Sequence, residues 1–292
     1  MKLFYSDEFV RSDFAFDTTK KAKWVADSLA ARPVAGVSIV APLPVSAPAL
    51  ASVHDADYVN SIRTGVPETL ACTMGFPWDA GRWPAVLASN GGAVAAALEA
   101  LRGGGVAGSL STGLHHAKRA RGSGFCTFNG LAIAAEETIR AGAGSVLILD
   151  LDAHCGGGTH SLIAANPRVR QLDVSTDPFD YYQPGGRATL DLITDADTYL
   201  PTIQRRLDAL SSATFDVVLY NAGMDPCEDC STGGLAGVSR AMLEERERLV
   251  FAWARQRRLP LAFVLAGGYT GAVLDEAGLV ALHRLTIEAA AR

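Results

Sequence analysis

The segment from Ile148 to His154 carries the residues best suited to chemistry. In it, the apolar run from Val146 to Leu149 ends in two carboxylates and an imidazole at alternate positions. Alternate residues of a strand share one face, so Asp150, Asp152 and His154 are predicted to point the same way. A divalent metal with oxygen and nitrogen ligands is the best use of such a group. The ordinary alternative is an Asp-x-Asp that caps a helix or stays solvated.

Three further positions offer reactive side chains next to predicted strands. His115 and His116 form a pair, and paired imidazoles suit general acid–base work near neutral pH. Asp225 follows another apolar run and is a third candidate metal ligand. Tyr269 follows two glycines, and its phenol could donate a hydrogen bond to a developing oxyanion. Taken singly, these residues are also compatible with surface histidines, a turn aspartate and a core tyrosine.

Apolar runs alternate with helical patterns along the chain, and these elements must position the reactive residues. The runs predict strands at 3–5, 37–41, 106–110, 146–149, 217–220 and 261–265, and apolar spacings of three and four predict helices at 86–101, 131–139, 199–210 and 242–253. Such alternation is typical of an α/β fold with a largely parallel sheet covered by helices on both faces. Ligands of such sheets bind at the carboxyl ends of the strands. We expect one domain spanning residues 1–292.

Composition narrows the function classes. The chain has 292 residues, is 49% hydrophobic and carries a formal net charge of -5. The charge gives no basic footprint for direct nucleic-acid binding. No apolar stretch suggests a membrane span and no signal peptide opens the chain, so we expect a cytoplasmic protein. Five cysteines in a chain of this length favour free thiols, and the lone pair Cys227 and Cys230 leaves a redox role as a minority interpretation.

Five motifs in this order resemble the histone deacetylase superfamily, which includes acetoin-utilisation proteins and acetylpolyamine amidohydrolases. They are His115-His116-Ala117, Gly124-Phe125-Cys126-Thr127-Phe128-Asn129, the run from Asp150 to Thr159, Ala222-Gly223-Met224-Asp225 with Gly233-Gly234, and Gly267-Gly268-Tyr269. The resemblance covers nearly the whole chain and is greatest to the class IV branch. It implies the arginase–deacetylase fold and a zinc-dependent hydrolase that removes acyl groups from lysine peptides or small amines.

The resemblance also implies a role for each site residue. Asp152, His154 and Asp225 would hold Zn²⁺, although this ligand set also accepts Fe²⁺. His116 would be the general base and acid, His115 its electrostatic support, and Tyr269 the donor to the oxyanion. Asp150 would hold His115, and with Asp152, His154 and Ser175 it would bind a monovalent cation, expected to be K⁺. The predicted substrate-binding residues are Gly124, Phe125, Tyr182 and Gly267, with Phe125 as one tunnel wall and Tyr181 or Tyr182 as the other.

One departure from the family pattern bears on activity. Relatives have a second histidine after the ligand histidine and, two residues later, an Asp or Asn that orients the second histidine of the pair. Here these positions are Cys155 and Gly157, so His116 is expected to lack that partner unless another group substitutes. This leaves an alternative function, a catalytically weak or inactive protein that binds acylated ligands or partners.

Overall fold

A central parallel sheet carries the molecule. The computed structural model describes residues 1–14 and 16–292, and within them one sheet has the strand order β2-β1-β3-β8-β7-β4-β5-β6. Every pairing between these strands is parallel. The strands are β1 (Lys2–Phe4), β2 (Ser38–Val40), β3 (Val106–Ser109), β4 (Val146–Asp150), β5 (Val169–Ser175), β6 (Ala188–Leu192), β7 (Val217–Gly223) and β8 (Leu261–Ala266).

Helices cover both faces of this sheet. Within the described residues they are α1 (Asp17–Ala31), α2 (Ala47–Val53), α3 (Ala56–Thr64), α4 (Glu68–Ala71), α5 (Arg82–Gly103), α6 (Gly130–Arg140), α7 (Gly157–Ile163), α8 (Tyr199–Ala209), α9 (Arg240–Gln256) and α10 (Glu276–Ala290). The predicted α/β fold with a parallel sheet between two helical layers is therefore confirmed.

Strand β4 shows how the two cores form. Leu147 and Leu149 pack into the core beneath α1, α8, α9 and α10, whereas Val146 and Ile148 pack into the core beneath α2, α5 and α6. Successive side chains of a strand point to opposite faces, so a continuous apolar run supplies both cores at once. All five residues of β4 are buried, and fully burying each such aliphatic side chain stabilises the fold by about 1.5–3 kcal/mol.

Small residues let α5 lie close to its neighbours. A Cβ on Gly91 would lie 2.1 Å from the carbonyl oxygen of Leu43, and one on Gly92 would lie 2.5 Å from Oγ of Ser109. By length and composition α5 is apolar enough to cross a membrane, with a mean hydropathy of 1.2, so the prediction that no stretch suggests a span is wrong for this helix on those criteria. However, 56% of its apolar window is buried inside the fold, a property that core helices share.

Candidate active site

Two aspartates and a histidine converge where β4 and β7 end. The ligand atoms of Asp152, His154 and Asp225 all lie within 4.8 Å of one another, and all three residues are buried. Nδ1 of His154 lies 3.1 Å from Oδ1 of Asp152 and 3.1 Å from Oδ2 of Asp225. The pairing of β4 with β7 brings the third residue to the other two, although 71 positions separate Asp225 from His154.

The donor set fits a divalent metal. Oδ2 of Asp225 is buried and, among the described residues, makes no aligned hydrogen bond despite its short distance to His154. Glycines cradle the carboxylates, because a Cβ on Gly267 would lie 2.2 Å from Oδ1 of Asp225 and one on Gly223 would lie 2.4 Å from Cα of Asp152. Two carboxylates and one imidazole suit zinc or ferrous iron and leave a coordination position for water or substrate.

Without a metal, a proton on His154 offsets part of the negative charge of Asp152 and Asp225. Burial alone would lower the pKa of His154, but hydrogen bonds and charges from Asp152 and Asp225 raise it to about 11. Burial and the neighbouring Asp152 charge raise the pKa of Asp225 to about 6. The metal-free site therefore holds an imidazolium between two carboxylates at neutral pH.

The histidine pair lies beside the metal ligands, and its two rings differ in charge. Nδ1 of His115 lies 2.8 Å from Oδ2 of Asp150, and Nε2 lies 3.5 Å from Oδ1 of Asp152. Burial lowers the pKa of His115, but these two carboxylates outweigh it and raise the pKa to about 10. The His116 ring lies 4.0 Å away, and burial together with the His115 charge lowers its pKa to about 4. His116 is thus neutral at pH 7 and able to accept a proton.

Asn129 fixes the loop that carries the pair. Its Nδ2 donates to the carbonyl oxygens of His115 and Ala117, both at 3.1 Å. Its Oδ1 accepts from the amide of Ala132, which makes Asn129 the N-cap of α6. Asn221 of β7, to which the sequence assigned no role in the site, donates from Nδ2 to Oδ1 of Asp150 at 2.8 Å. Both residues hold His115 and its carboxylate partner in place.

Another residue substitutes for the partner that glycine at position 157 cannot give to His116. Nδ1 of His116 lies 3.1 Å from Oδ2 of Asp180, a residue on the loop between β5 and β6. Gly157 offers no side chain at the position where relatives carry the orienting residue. The Asp180 side chain occupies the space that a side chain at position 157 would fill. A Cβ on Gly157 would lie 2.1 Å from the Asp180 carbonyl oxygen and 2.8 Å from its Oδ1.

Tyr269 follows a turn that only glycines form readily. Gly267 and Gly268 have φ values of +51° and +89°, in the left-handed region that disfavours residues with a Cβ. The turn places the buried Tyr269 ring 6.3 Å from the ring of His154. Burial and the nearby Asp225 and Asp152 charges raise the pKa of the Tyr269 phenol above its ordinary value, so the phenol keeps its proton. Gly267 lies against the Asp225 carboxylate, and its predicted contact with substrate stays a prediction.

Aromatic side chains flank the imidazoles. Gly124 lies directly over His116, since a Cβ there would lie 2.5 Å from Cδ2 of that ring. Phe125 packs against Phe16, with ring centroids 4.8 Å apart, and Phe16 in turn packs against Tyr269. Phe179, which the sequence analysis missed, lies edge-on to His116 at 4.9 Å and is 45% exposed. Phe179 thus combines a partly exposed ring with a contact to His116.

The predicted wall residue Tyr182 packs against a different histidine. Its ring stacks on His160 at 4.1 Å, and its hydroxyl donates to the carbonyl oxygen of Thr189 at 3.1 Å. Tyr181 is 54% exposed. Phe179 is the aromatic residue of this loop that lies beside His116, and a place for Tyr182 in the substrate tunnel stays a prediction.

The residues predicted to bind a monovalent cation also lie together. Ser175 is buried and its hydroxyl donates to the carbonyl oxygen of His154 at 3.3 Å. Asp150 already accepts hydrogen bonds at both oxygens, from His115 at Oδ2 and from the Asp152 amide and Asn221 at Oδ1. Potassium binding here stays a prediction.

A buried lysine behind the tyrosine turn was also missed. Nζ of Lys21 donates to Oγ1 of Thr18 at 2.9 Å and to the carbonyl oxygen of Gly267. Burial lowers the pKa of Lys21 to about 7. Helix α1 therefore braces the turn that carries Tyr269. A lysine in an amphipathic helix is ordinarily exposed, so the sequence gives no signal for this contact.

Comparison with known proteins places this geometry in a family. The chain matches the family described as "Histone deacetylase domain" over residues 16–285. It is 36% identical over 245 residues to an uncharacterised protein of Picosynechococcus, covering 82% of this chain and 80% of that one. It is 31% identical over 252 residues to Histone deacetylase 2 of Arabidopsis thaliana, covering 80% of this chain.

The match spans 63% of the plant protein, slightly less than two thirds of its length. Among solved structures, the acetylpolyamine aminohydrolase from Burkholderia pseudomallei superposes with a TM-score of 0.82 over 99% of this chain and 98% of that chain. Its sequence identity is 21%, so this likeness concerns the fold, which is the arginase–deacetylase architecture.

Proposed function

Because the chain belongs to the histone deacetylase family, we propose that it is a metal-dependent amide hydrolase. Its substrate would be an acetylated or otherwise acylated lysine side chain, or a small acylated amine. One observation carries the proposal: a buried Asp-His-Asp group lies beside a neutral histidine and a protonated tyrosine. Amide hydrolysis needs these three parts, namely an electrophilic centre, a proton carrier and an oxyanion donor.

Asp152, His154 and Asp225 are the residues that would hold the metal. A bound zinc or iron ion would polarise the acyl carbonyl and acidify a water molecule. We also propose that the chain belongs to the class IV branch and that the metal is zinc or ferrous iron.

His116 would carry the proton during the reaction. Its pKa is lowered by burial and by the His115 charge, so the neutral ring can accept a proton from the attacking water. The same ring would then donate that proton to the departing amine nitrogen. His115, held charged by Asp150, disfavours a second positive charge on His116. This repulsion would help the proton leave His116 in the second step.

Tyr269 would donate a hydrogen bond to the carbonyl oxygen as negative charge develops there. The raised pKa of the phenol keeps the donor protonated, and the left-handed glycine turn fixes the ring. A preorganised donor of this kind needs no rearrangement during the reaction.

The aromatic side chains would bind the acylated side chain. Phe179 touches His116 and is partly exposed, and Phe125 belongs to a separate aromatic cluster with Phe16 and Tyr269. Apolar walls of this type suit the methylene stem of lysine or a polyamine. The alternative of an inactive binding protein depended on His116 having no partner, and the Asp180 contact removes that support.

The test combines metal content with turnover. Purified protein loaded with Zn²⁺ or Fe²⁺ is assayed on a panel of acyl-lysine peptides and acylated amines, together with Asp225→Ala. The matched control is Asp229→Ala, which removes an exposed carboxylate four residues away. We expect one metal ion per chain and turnover in the native protein and control, and neither in Asp225→Ala. Full metal occupancy in Asp225→Ala would contradict the ligand assignment, and a metal-loaded native protein without turnover on any substrate would favour the binding alternative.

A further inference from the structure

We infer that Asp180, on the loop between β5 and β6, is the positioning residue for His116. The inference rests on the proposed hydrolase function, and it assigns the role to a residue far in sequence from the position where relatives carry a carboxylate. It also explains how this chain can have glycine at position 157 and still orient its base.

Both carboxylate oxygens of Asp180 have polar partners. Oδ2 lies 3.1 Å from Nδ1 of His116 and accepts the amide of Gly158 at 2.8 Å. Oδ1 lies 2.9 Å from Nζ of Lys118. The side chain is only 6% exposed. Lys118 and the Gly158 amide thus hold the carboxylate in a single orientation toward the histidine.

This contact selects the tautomer of His116. Burial raises the pKa of Asp180, but hydrogen bonds from His116 and Lys118 outweigh it and hold the pKa below its ordinary value. An ionised carboxylate only accepts hydrogen bonds, so Nδ1 of His116 must carry the proton. Nε2 of the neutral ring is then left with a free lone pair. A base needs that lone pair, and the wrong tautomer would present a proton in its place.

The backbone of Asp180 supports a functional role. Its φ is +58°, in the left-handed region where glycine is the least costly residue and aspartate is one of the few others found. A side chain retained in such a conformation is often tied to function. Here the left-handed turn is what directs the carboxylate inward, beside an exposed Phe179 and an exposed Tyr181.

Asp180 and a side chain at position 157 exclude each other. A Cβ on Gly157 would lie 2.1 Å from the Asp180 carbonyl oxygen, which is far inside contact distance. Glycine at position 157 is therefore required for the carboxylate of Asp180 to take this position. The Asp180 loop can approach α7 this closely only because Gly157 has no side chain.

The charges around His116 define what Asp180 contributes. The ring faces His115 at 4.0 Å, His154 at 5.8 Å and the Asp152 charge, besides Asp180 and its partner Lys118. Among these groups of the described residues, only Asp180 makes a hydrogen bond with Nδ1 of His116. When His116 accepts a proton at Nε2, the Asp180 carboxylate would stabilise the imidazolium and keep the ring in place.

The experiment compares Asp180→Asn with Asp177→Asn, which removes a charge from the same loop without touching His116. Asparagine tolerates left-handed backbone, and Asp180→Gly, which suits φ +58° still better, serves as a second variant. Each protein is loaded with zinc and assayed on the best substrate of the panel. We expect kcat of Asp180→Asn to fall roughly ten- to hundredfold, the scale for losing a carboxylate that orients a site histidine. KM should change by less than about twofold, because a carboxylate that acts through His116 contributes to the transition state and not to substrate binding.

A second readout follows the histidine directly. ¹H–¹⁵N NMR of the zinc-loaded protein reports the protonated ring nitrogen, and the His116 signals are identified by their loss in His116→Asn. We expect protonation at Nδ1 in the native protein and in Asp177→Asn, and a changed pattern in Asp180→Asn and Asp180→Gly.

The two readouts separate the possible failures. Native kcat in both Asp180 variants, a lower kcat with unchanged His116 signals, or a raised KM at constant kcat would each overturn the positioning role. If the native protein hydrolyses no acyl substrate, the proposed function fails, but the NMR comparison still decides whether Asp180 sets the tautomer.

Discussion

Metal binding is expected to release a proton, and this prediction follows from the charges of the metal-free site. His154 must be neutral to coordinate through Nδ1, yet its neighbours Asp152 and Asp225 raise its pKa to about 11. A metal ion entering at neutral pH therefore displaces one proton from His154. His115 retains its own partner, Asp150, at 2.8 Å, so we expect it to keep its proton.

The proton count fixes the magnitude. Displacing one proton makes the apparent metal affinity rise tenfold per pH unit between the pKa of Asp225, about 6, and that of His154, about 11. Each pH unit corresponds to about 1.4 kcal/mol of binding free energy. From pH 6.5 to 8.5 the proton from His154 should thus increase the affinity by at least roughly a hundredfold, or about 2.7 kcal/mol, and ionisation of a metal-bound water would add to this gain. Below pH 6 the slope should steepen, because Asp225 then also carries a proton that the metal must displace.

Calorimetric titration of metal-free protein with Zn²⁺, in buffers of different ionisation enthalpy, measures the released protons. Competition with a chelator of known affinity measures the slope with pH. The control is His160→Gln, which removes a histidine that stacks on Tyr182 outside the site and should leave the proton count unchanged. An affinity that stays constant from pH 6.5 to 8.5 would refute the assignment of His154 as a protonated ligand in the metal-free protein.

Two substitutions test other parts of the site. Tyr269→Phe should retain metal and fold while kcat falls by roughly a hundredfold or more, the scale for losing one oxyanion donor; an unchanged kcat would place the donor elsewhere. Gly157→Ala should lower the free energy of unfolding by about 1–3 kcal/mol, because the added methyl group overlaps the Asp180 carbonyl. Chemical denaturation compares it with Gly185→Ala, where the methyl group meets nothing within 4 Å, and equal stability of the two variants would contradict the close approach of the Asp180 loop.

Six strands were predicted from apolar runs, and they include β1 and the edge strand β2 as well as the four central strands. β3, β4, β7 and β8 lie at the centre of the sheet and are buried on both faces, so hydrophobicity alone reveals them. β5 and β6 were missed. β5 interrupts its apolar residues with Arg170, Gln171 and Asp173, and β6, at one of the two edges of the sheet, alternates apolar with polar residues and is only partly buried.

The same contrast holds for the site. The three candidate metal ligands stand directly at strand ends, where sequence position determines where a side chain points. Asp180, Phe179 and Lys21 act through tertiary contacts with residues far away in the chain, so no local pattern marks them. The sequence also did not show which aromatic residue of this loop faces His116: Phe179 does, whereas Tyr182 stacks on His160.

The strand order has a consequence for synthesis on the ribosome. β8, the last strand made, lies between β3 and β7 at the centre of the sheet. Until residues 261–266 emerge, the sheet exists only as two separate ribbons, β2-β1-β3 and β7-β4-β5-β6, each with an unpaired inner edge. Open edges of this kind are prone to pair with other chains. The nascent protein is therefore most exposed to misassociation before β8 is made, and the strand that closes the gap also precedes Tyr269.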